Sequence, residues 1–259
     1  MTAIGEEMYR NRFDLTEFIV PAGVESIEEE AFRNCINLER VTLPEGLAEI
    51  GEEAFRDCVS LREIRIPDSV EEIEEEAFRD CKALREVHFG GGLEEIGDEA
   101  FRGCRNLRDA VLPDGLEEIG DEAFRGCVSL IAAEIPASVE EIGAYAFMDC
   151  PKLTVYTTAG SEAAKYAQRS GIPVKPISGA AQLKDKCVVL SGLRGHQREQ
   201  VMEVLEAVGG IFREEVSGTT AYLIYDPADG METKKFAEAL EMQAEASGLL
   251  LMDYRELVE

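Results

Sequence analysis

Tryptophan is absent from this 259-residue sequence, and histidine occurs only at His88 and His196. Active sites and metal centres built on imidazole therefore have little to draw on. No Ser-His-Asp, Cys-His or clustered Cys/His pattern is present, so no enzyme activity, cofactor or small-molecule substrate is expected. No run of 18 apolar residues occurs, and residues 1–16 lack a basic segment followed by an apolar one; neither a membrane span nor a signal peptide is expected. Basic residues are also scarce, with 26 Lys plus Arg against 53 Asp plus Glu and a net charge of −27. That field repels duplex DNA and anionic lipid at long range, which disfavours both as partners. The expectation is a soluble, cytoplasmic protein.

What the sequence has in abundance is repetition. Ala-Phe recurs every 23 residues at Ala31-Phe32, Ala54-Phe55, Ala77-Phe78, Ala100-Phe101, Ala123-Phe124 and Ala146-Phe147. A cysteine keeps the same phase at Cys35, Cys58, Cys81, Cys104, Cys127 and Cys150, as do leucines from Leu38 to Leu153 and isoleucines from Ile27 to Ile142. Four columns in register imply a solenoid, in which each unit buries its apolar face against its neighbours. Ile4, Met8, Tyr9, Arg12, Leu15 and Phe18 continue the phase backwards into a seventh, N-terminal unit. Arg12 replaces the cysteine there, as befits a terminal unit with one wet face.

Within a unit, Leu38 to Pro44 alternates apolar and polar residues and reads as a short half-buried strand ended by proline. A second extended piece follows at Leu47 to Ile50. Ala54, Phe55 and Cys58 then fall on one face at helical spacing, predicting about one turn of helix per unit. The fold class expected is α/β.

Six cysteines standing one per unit lack the short spacing of a zinc site, and they read as small packing residues with free thiols. The acidic pairs Glu29-Glu30, Glu52-Glu53, Glu75-Glu76, Asp98-Glu99 and Asp121-Glu122 are each followed by an arginine, predicting a solvated face of exposed ion pairs. A basic stripe stands out from this background. Arg62, Arg85 and Arg108 share one position in three successive units, near Arg40, Arg65 and His88. This stripe is the candidate contact surface, or else it pairs internally with Glu63, Glu86 and Asp109. Gly90-Gly91-Gly92 reads as a turn, because no helix carrying Lys-Ser/Thr follows it.

The repeat string Ile-x-x-x-Ala-Phe-x-x-Cys-x-x-Leu resembles the BspA-like bacterial leucine-rich repeats over roughly residues 4–158. The resemblance implies a leucine-rich repeat solenoid of seven 23-residue units, closed by a terminal cap that begins at a Ser161 N-cap, runs as a short helix and passes Gly171. Many members of that family look like surface antigens, so a surface location applies if the sequence is part of a longer chain.

The 23-residue phase stops after the solenoid (1–177), and 178–182 reads as a linker. From 183 to 259 the pattern is βαββαβα, a small three-layer domain with a mostly parallel sheet: Cys187 to Leu190, Val201 to Val208, Ile211-Phe212, Ala221 to Tyr225, Thr233 to Ala246, Leu249 to Met252 and Tyr254 to Val258. The strings Val189-Leu190-Ser191-Gly192, Leu205 to Gly210 and Val216 to Ile224 are similar to the BRCT domain, most of all in its bacterial DNA-ligase branch. The family's bulky aromatic in the last helix is replaced by Leu257. The resemblance implies recognition of phosphopeptides, DNA ends or other such domains, with a phosphate held by Ser191, Gly192, Thr233 and Lys235. Alternatively, Ser191 only orders a turn while Lys235 pairs with Glu232 or Glu238. DNA is the weaker alternative, because residues 183–259 carry 8 basic and 15 acidic side chains, a net −7. The functional expectation is a non-enzymatic scaffold, with the solenoid sheet binding one protein and the BRCT-like domain a second, phosphorylated one.

Overall fold

The computed structural model describes residues 2–158, 160–176, 186–194, 196–208, 211–215, 222–225, 235 and 250–253. The chain divides into two compact units, Met1–Lys175 and Pro176–Glu259.

The first unit opens with β1 (Ala3–Ile4), β2 (Glu17–Ile19), β3 (Ser26–Ile27), β4 (Arg40–Thr42), β5 (Glu49–Ile50), β6 (Glu63–Arg65), β7 (Glu72–Ile73) and β8 (Glu86–His88). It continues with β9 (Glu95–Ile96), β10 (Asp109–Val111), β11 (Glu118–Ile119), β12 (Ala132–Glu134), β13 (Glu141–Ile142), β14 (Thr154–Thr157), α1 (Glu162–Ser170) and β15 (Val174–Pro176). The odd strands from β1 to β13 form one seven-stranded sheet of two-residue strands. The longer strands stack in the orders β2-β4-β6-β8 and β10-β12-β14-β15. Pairing is parallel and the register steps by 23, as in Glu63↔Glu86 and Asp109↔Ala132, until Ala132↔Thr154 shortens the last step. The result is a parallel β-solenoid of about eight turns. The sequence pattern predicts seven; the eighth is supplied by α1 and β15, which lie outside the 23-residue phase.

Strands this short suffice because each turn is held by both neighbours. In the longer strands only the central residue points inward, Val41, Ile64, Val87, Ala110 and Ala133 in turn, and the flanking positions face water. Inside, the rings of Tyr9, Phe32, Phe55, Phe78, Phe101, Phe124 and Phe147 stack face to face with centroids 5.1–5.3 Å apart and interplanar angles of 10° or less. The repeat spacing imposes that geometry, because parallel turns sit one strand spacing, about 4.8 Å, apart. Tyr166 of α1 closes the stack edge-on against Phe147.

The helical turn expected between Gly51 and Cys58 is absent. The segment is a run of tight turns in which alternate amides have different destinations. Ala54, Arg56 and Cys58 donate to the carbonyls of Gly51, Glu53 and Phe55 within the turn, whereas Glu53, Phe55 and Asp57 donate at 2.8–2.9 Å to Glu75, Ala77 and Arg79 of the next turn. A helix would spend every amide internally and leave no ladder between units. Glu53 and Asp57 accordingly adopt φ 53° and 59°, in the left-handed region, and the equivalent residues of other turns do the same. Such backbone costs on the order of 1 kcal/mol or more per non-glycine residue, offset here by the inter-turn bonds.

Gly90 and Gly92 form the turn expected of them, and the reason for glycine is close approach. A side-chain carbon on Gly90 would lie 2.2 Å from the Pro67 carbonyl oxygen, and one on Gly92 2.1 Å from that of Asp68. The terminal helix α1 also forms as the sequence predicts: Ser161 caps it by accepting from the Ala164 amide, and Gly171 ends it at φ 70°.

The second unit contains β16 (Cys187–Ser191), α2 (His196–Val208), β17 (Ile211–Arg213), β18 (Tyr222–Tyr225) and β19 (Leu250–Asp253). All four strands are parallel, in the order β17-β16-β18-β19. Val188, Leu190, Val201, Leu205, Tyr222, Ile224 and Met252 form its core. The linker expected at 178–182, Gly209-Gly210, the helix expected over Thr233–Ala246 apart from Lys235, and the last turn at Tyr254–Val258 lie outside the described residues.

Candidate interaction surface

The longer strands expose two residues for each one they bury, and that alternation builds the surface. The position before each strand carries Glu39, Arg62, Arg85, Arg108 and Ile131, tied together by amides donating along the column from Arg62 to Glu39, Arg85 to Arg62 and Ile131 to Arg108. The next column carries Arg40, Glu63, Glu86, Asp109 and Ala132, and the column beyond the buried residue carries Thr42, Arg65, His88, Val111 and Glu134. All six basic residues of the stripe are exposed.

The internal pairing open to these residues is not the one adopted. Arg62 reaches back to Glu39 at 3.2 Å rather than to Glu63, and Arg40 pairs with Glu17. Glu86 is engaged by His88, whose Nε2 lies 2.9 Å from its carboxylate. Among the described residues, Arg65, Arg85 and Arg108 make no ion pair or side-chain hydrogen bond. Exposed Val111 and Ile131 lie on the same face, a feature the charge pattern did not reveal. A groove of about 320 Å³ beside β4, β6 and β8 is lined in part by Arg65 and His88 over Val41 and Ile64. Long cationic side chains interleaved with aliphatic ones suit a protein surface of acidic character.

The acidic pairs divide into two populations. Their second members form a continuous ladder: Arg79 bridges Glu76 and Glu99, each at 2.5 Å, Arg102 bridges Glu99 and Glu122 at 2.9 and 2.7 Å, and Arg33 and Arg56 repeat the motif. The exposed pairs expected here are in fact half-buried. Among the described residues the first members make no ion pair and stack in a like-charged column, and burial together with neighbouring carboxylates raises the pKa values of Glu52 and Glu75. Repetition of one arrangement on every turn supplies structure and no single tuned acid or base.

In the second unit Ser191 is buried at the carboxyl end of β16, opposite Tyr225 of β18, and Gly192 follows at φ 75°. Lys235 is half-buried in helical backbone. Thr233 lies outside the described residues. Among the described residues no three His, Cys, Asp or Glu side chains converge as a metal site would require, and no helix is long and apolar enough to cross a membrane.

Comparison with known proteins agrees with the coil geometry. The BspA type leucine rich repeat region matches in six copies, over residues 2–127 and 84–166. Among solved structures, the chain is similar to a T. pallidum leucine rich repeat protein at 28% identity and a TM-score of 0.54, over 62% of this chain and 86% of that one. It is also similar to a leucine rich cell surface protein of Faecalibacterium prausnitzii at 23% identity and a TM-score of 0.36, over 62% of this chain and 64% of that one. No curated protein matches it. Repeat, ladder and match coincide on the first unit, and the chain belongs to the BspA type leucine rich repeat family.

Proposed function

We propose that this protein is a non-enzymatic interaction scaffold whose stripe of Arg62, Arg85 and Arg108, with Arg40, Arg65 and His88, docks an acidic protein partner. Leucine-rich repeat proteins are generally protein-interaction scaffolds. The observation that carries this reading is that Arg65, Arg85 and Arg108 stand exposed and without ion pairs on a chain of net charge −27, beside exposed Val111 and Ile131. Such exposed arginines keep their donors free for the carboxylates of a partner, and a basic stripe on an acidic chain steers that partner to one face. Double charge reversal, Arg85→Glu with Arg108→Glu, is expected to weaken capture of a partner at least about tenfold and to remove most of its salt dependence. Equal capture by the reversed protein would refute the stripe.

The second unit is read as BRCT-like, an adaptor for a phosphorylated partner. Its parallel order supports this: β16 lies where connections diverge to either side, and Ser191 and Gly192 sit at the carboxyl end of that strand, where open α/β sheets bind ligands. Pools of phosphoserine and phosphothreonine peptides are expected to be captured in preference to their unphosphorylated twins, and Lys235→Glu is expected to abolish the preference. Equal capture of both pools would remove this half of the reading.

A further inference from the structure

The turn-edge column that begins with Asn11 and Asn34 carries Asp57 and Asp80, then Gly103 and Gly126, then Asp149. Every member has φ between 56° and 74°, and aspartate and asparagine occupy the position in other turns, so the backbone alone does not demand glycine; at Gly103 a side-chain carbon would lie 2.8 Å from Oδ1 of Asp80, whereas at Gly126 the space is open. At Asp57 and Asp80 the carboxylate faces the arginine before it, with Nε of Arg56 3.8 Å from Asp57 and Nε of Arg79 4.0 Å from Asp80, whereas Asp149 reaches back to Nε of Arg125 at 3.5 Å. At two successive turns that carboxylate is missing.

The vacated space is a cavity of about 370 Å³ with Gly103 and Gly126 in its lining. Four arginines surround it, Arg79, Arg102, Arg105 and Arg125, against two carboxylates, Asp80 and Asp149. Arg102 commits Nη1 to Glu99 and Glu122, and Arg125 commits Nη1 to Glu122 and Nε, at 3.5 Å, to Asp149. The Nε and Nη2 of Arg102, and the whole guanidinium of Arg105, have no partner among the described residues. Arg105 itself follows Lys82 in a column that carries Val59 and Val128 in the turns on either side. The two glycines and Arg105 therefore leave the free guanidinium edges of Arg102 and Arg105 in the lining of this cavity, beside a ladder in which Arg79 and Arg125 are paired.

We propose that this cavity is an oxyanion site for a phosphate group. Two adjacent carboxylates are absent, about one strand spacing (roughly 4.8 Å) apart. A single carboxylate would satisfy one guanidinium edge, whereas a phosphate carrying about −1.5 to −2 charges presents three oxygens and bridges two. Arginine's planar fork suits that geometry better than lysine. Arg102 and Arg125 are about 30% exposed, so the site is open to water and its affinity falls with added salt. The site lies in the first unit and is independent of the phosphopeptide reading of the second.

Titration calorimetry of the full-length chain with inorganic phosphate and with O-phosphoserine, in low-chloride buffer, tests the assignment. Saturable binding is expected, weakened at least about tenfold by Gly126→Asp and by Arg105→Ala. Gly126→Asp restores the residue that the column carries at Asp57, Asp80 and Asp149, and the nearest atom to a new side-chain carbon lies 3.9 Å away, so the variant is expected to fold; an unchanged melting temperature checks this. Tighter binding of O-phosphoserine would assign a phosphomonoester, and tighter binding of inorganic phosphate the free ion. The titration is repeated on the Lys235→Glu background, in which phosphate held through the second unit is lost, and the component sensitive to Gly126→Asp and Arg105→Ala is expected to remain. Absence of binding at millimolar phosphate, binding that survives both Gly126→Asp and Arg105→Ala, or binding lost in Lys235→Glu alone would overturn the proposal.

Discussion

A phenylalanine carbonyl in the turn region accepts two hydrogens, and the cysteine column exists to supply one of them. The Phe55 oxygen takes the amide of Cys58 at 3.1 Å and the thiol of Cys81 at 3.2 Å, and the bond recurs from Cys35 on Tyr9 to Cys150 on Phe124. Alanine would fill the space but leave the second lone pair of a buried carbonyl unanswered, whereas a thiol is a small apolar body with a weak donor. Burial pushes the pKa values of Cys35, Cys58, Cys81, Cys104 and Cys127 upward, so few thiolates form there near neutral pH. With Ellman's reagent at pH 8, half-buried Cys187 is expected to react first, and these five only on unfolding. Rapid native-state titration of all seven thiols would contradict the buried column.

At the scale of the element, the turn segment is a ladder built from residues that read as helix formers. Its stability resides in contacts between turns: inter-turn amides, the Glu–Arg bridges and the ring stack. Phe78 occupies the middle of that stack, between Phe55 and Phe101 with centroids 5.2 Å away on each side. Phe78→Ala is expected to cost about 3–5 kcal/mol, because neighbours locked in register cannot collapse into the void. Urea denaturation measures this directly, and a loss below about 1 kcal/mol would refute the packed stack. The C-terminal end needs its own device. The Phe147 amide, with no further 23-residue unit to receive it, donates to the Tyr166 hydroxyl of α1 at 3.3 Å, so α1 acts as the closing member of the ladder.

Over the whole molecule, charge is stacked as regularly as the rings. Glu49, Glu72, Glu95, Glu118 and Glu141 face one another in register along the seven-stranded sheet. Like charges directly opposite one another repel. Burial first, and neighbouring carboxylates second, raise the pKa values of Glu72 and Glu118; burial also leads the rise at Glu74. A carboxyl whose pKa is higher folded than unfolded holds more proton in the folded state, so stability rises as pH falls through the raised value toward the ordinary value of about 4.3. The melting temperature is therefore expected to be higher at pH 5 than at pH 7, and added sodium chloride is expected to raise it at pH 7 by screening the columns. A lower melting temperature at pH 5 together with no response to salt would show that the columns carry no net repulsion.

The period of 23 determined the solenoid and its buried columns, because burial every 23 residues leaves a chain only one way to stack; the capping helix was legible from Ser161 and Gly171, and the parallel sheet of the second unit from its alternation of strands and helices. Counting residue types also placed the arginine stripe on one exposed face. Periodicity could not separate a helical turn from a run of tight turns at Ala54, Phe55 and Cys58, since both bury the same three side chains and differ only in whether alternate amides bond within the turn or across it. Nor could it assign partners. Glu52 and Glu53 are adjacent and chemically identical, yet Glu53 is half-buried between Arg33 and Arg56 while Glu52 makes no ion pair among the described residues and feels the repulsion of Glu29 and Glu75. That Gly103 and Gly126 border the free guanidinium edges of Arg102 and Arg105 is visible only in the tertiary structure. A repeating sequence dictates which residues are stacked; the direction of each amide and the reach of each side chain into the next turn are decided only when the turns meet.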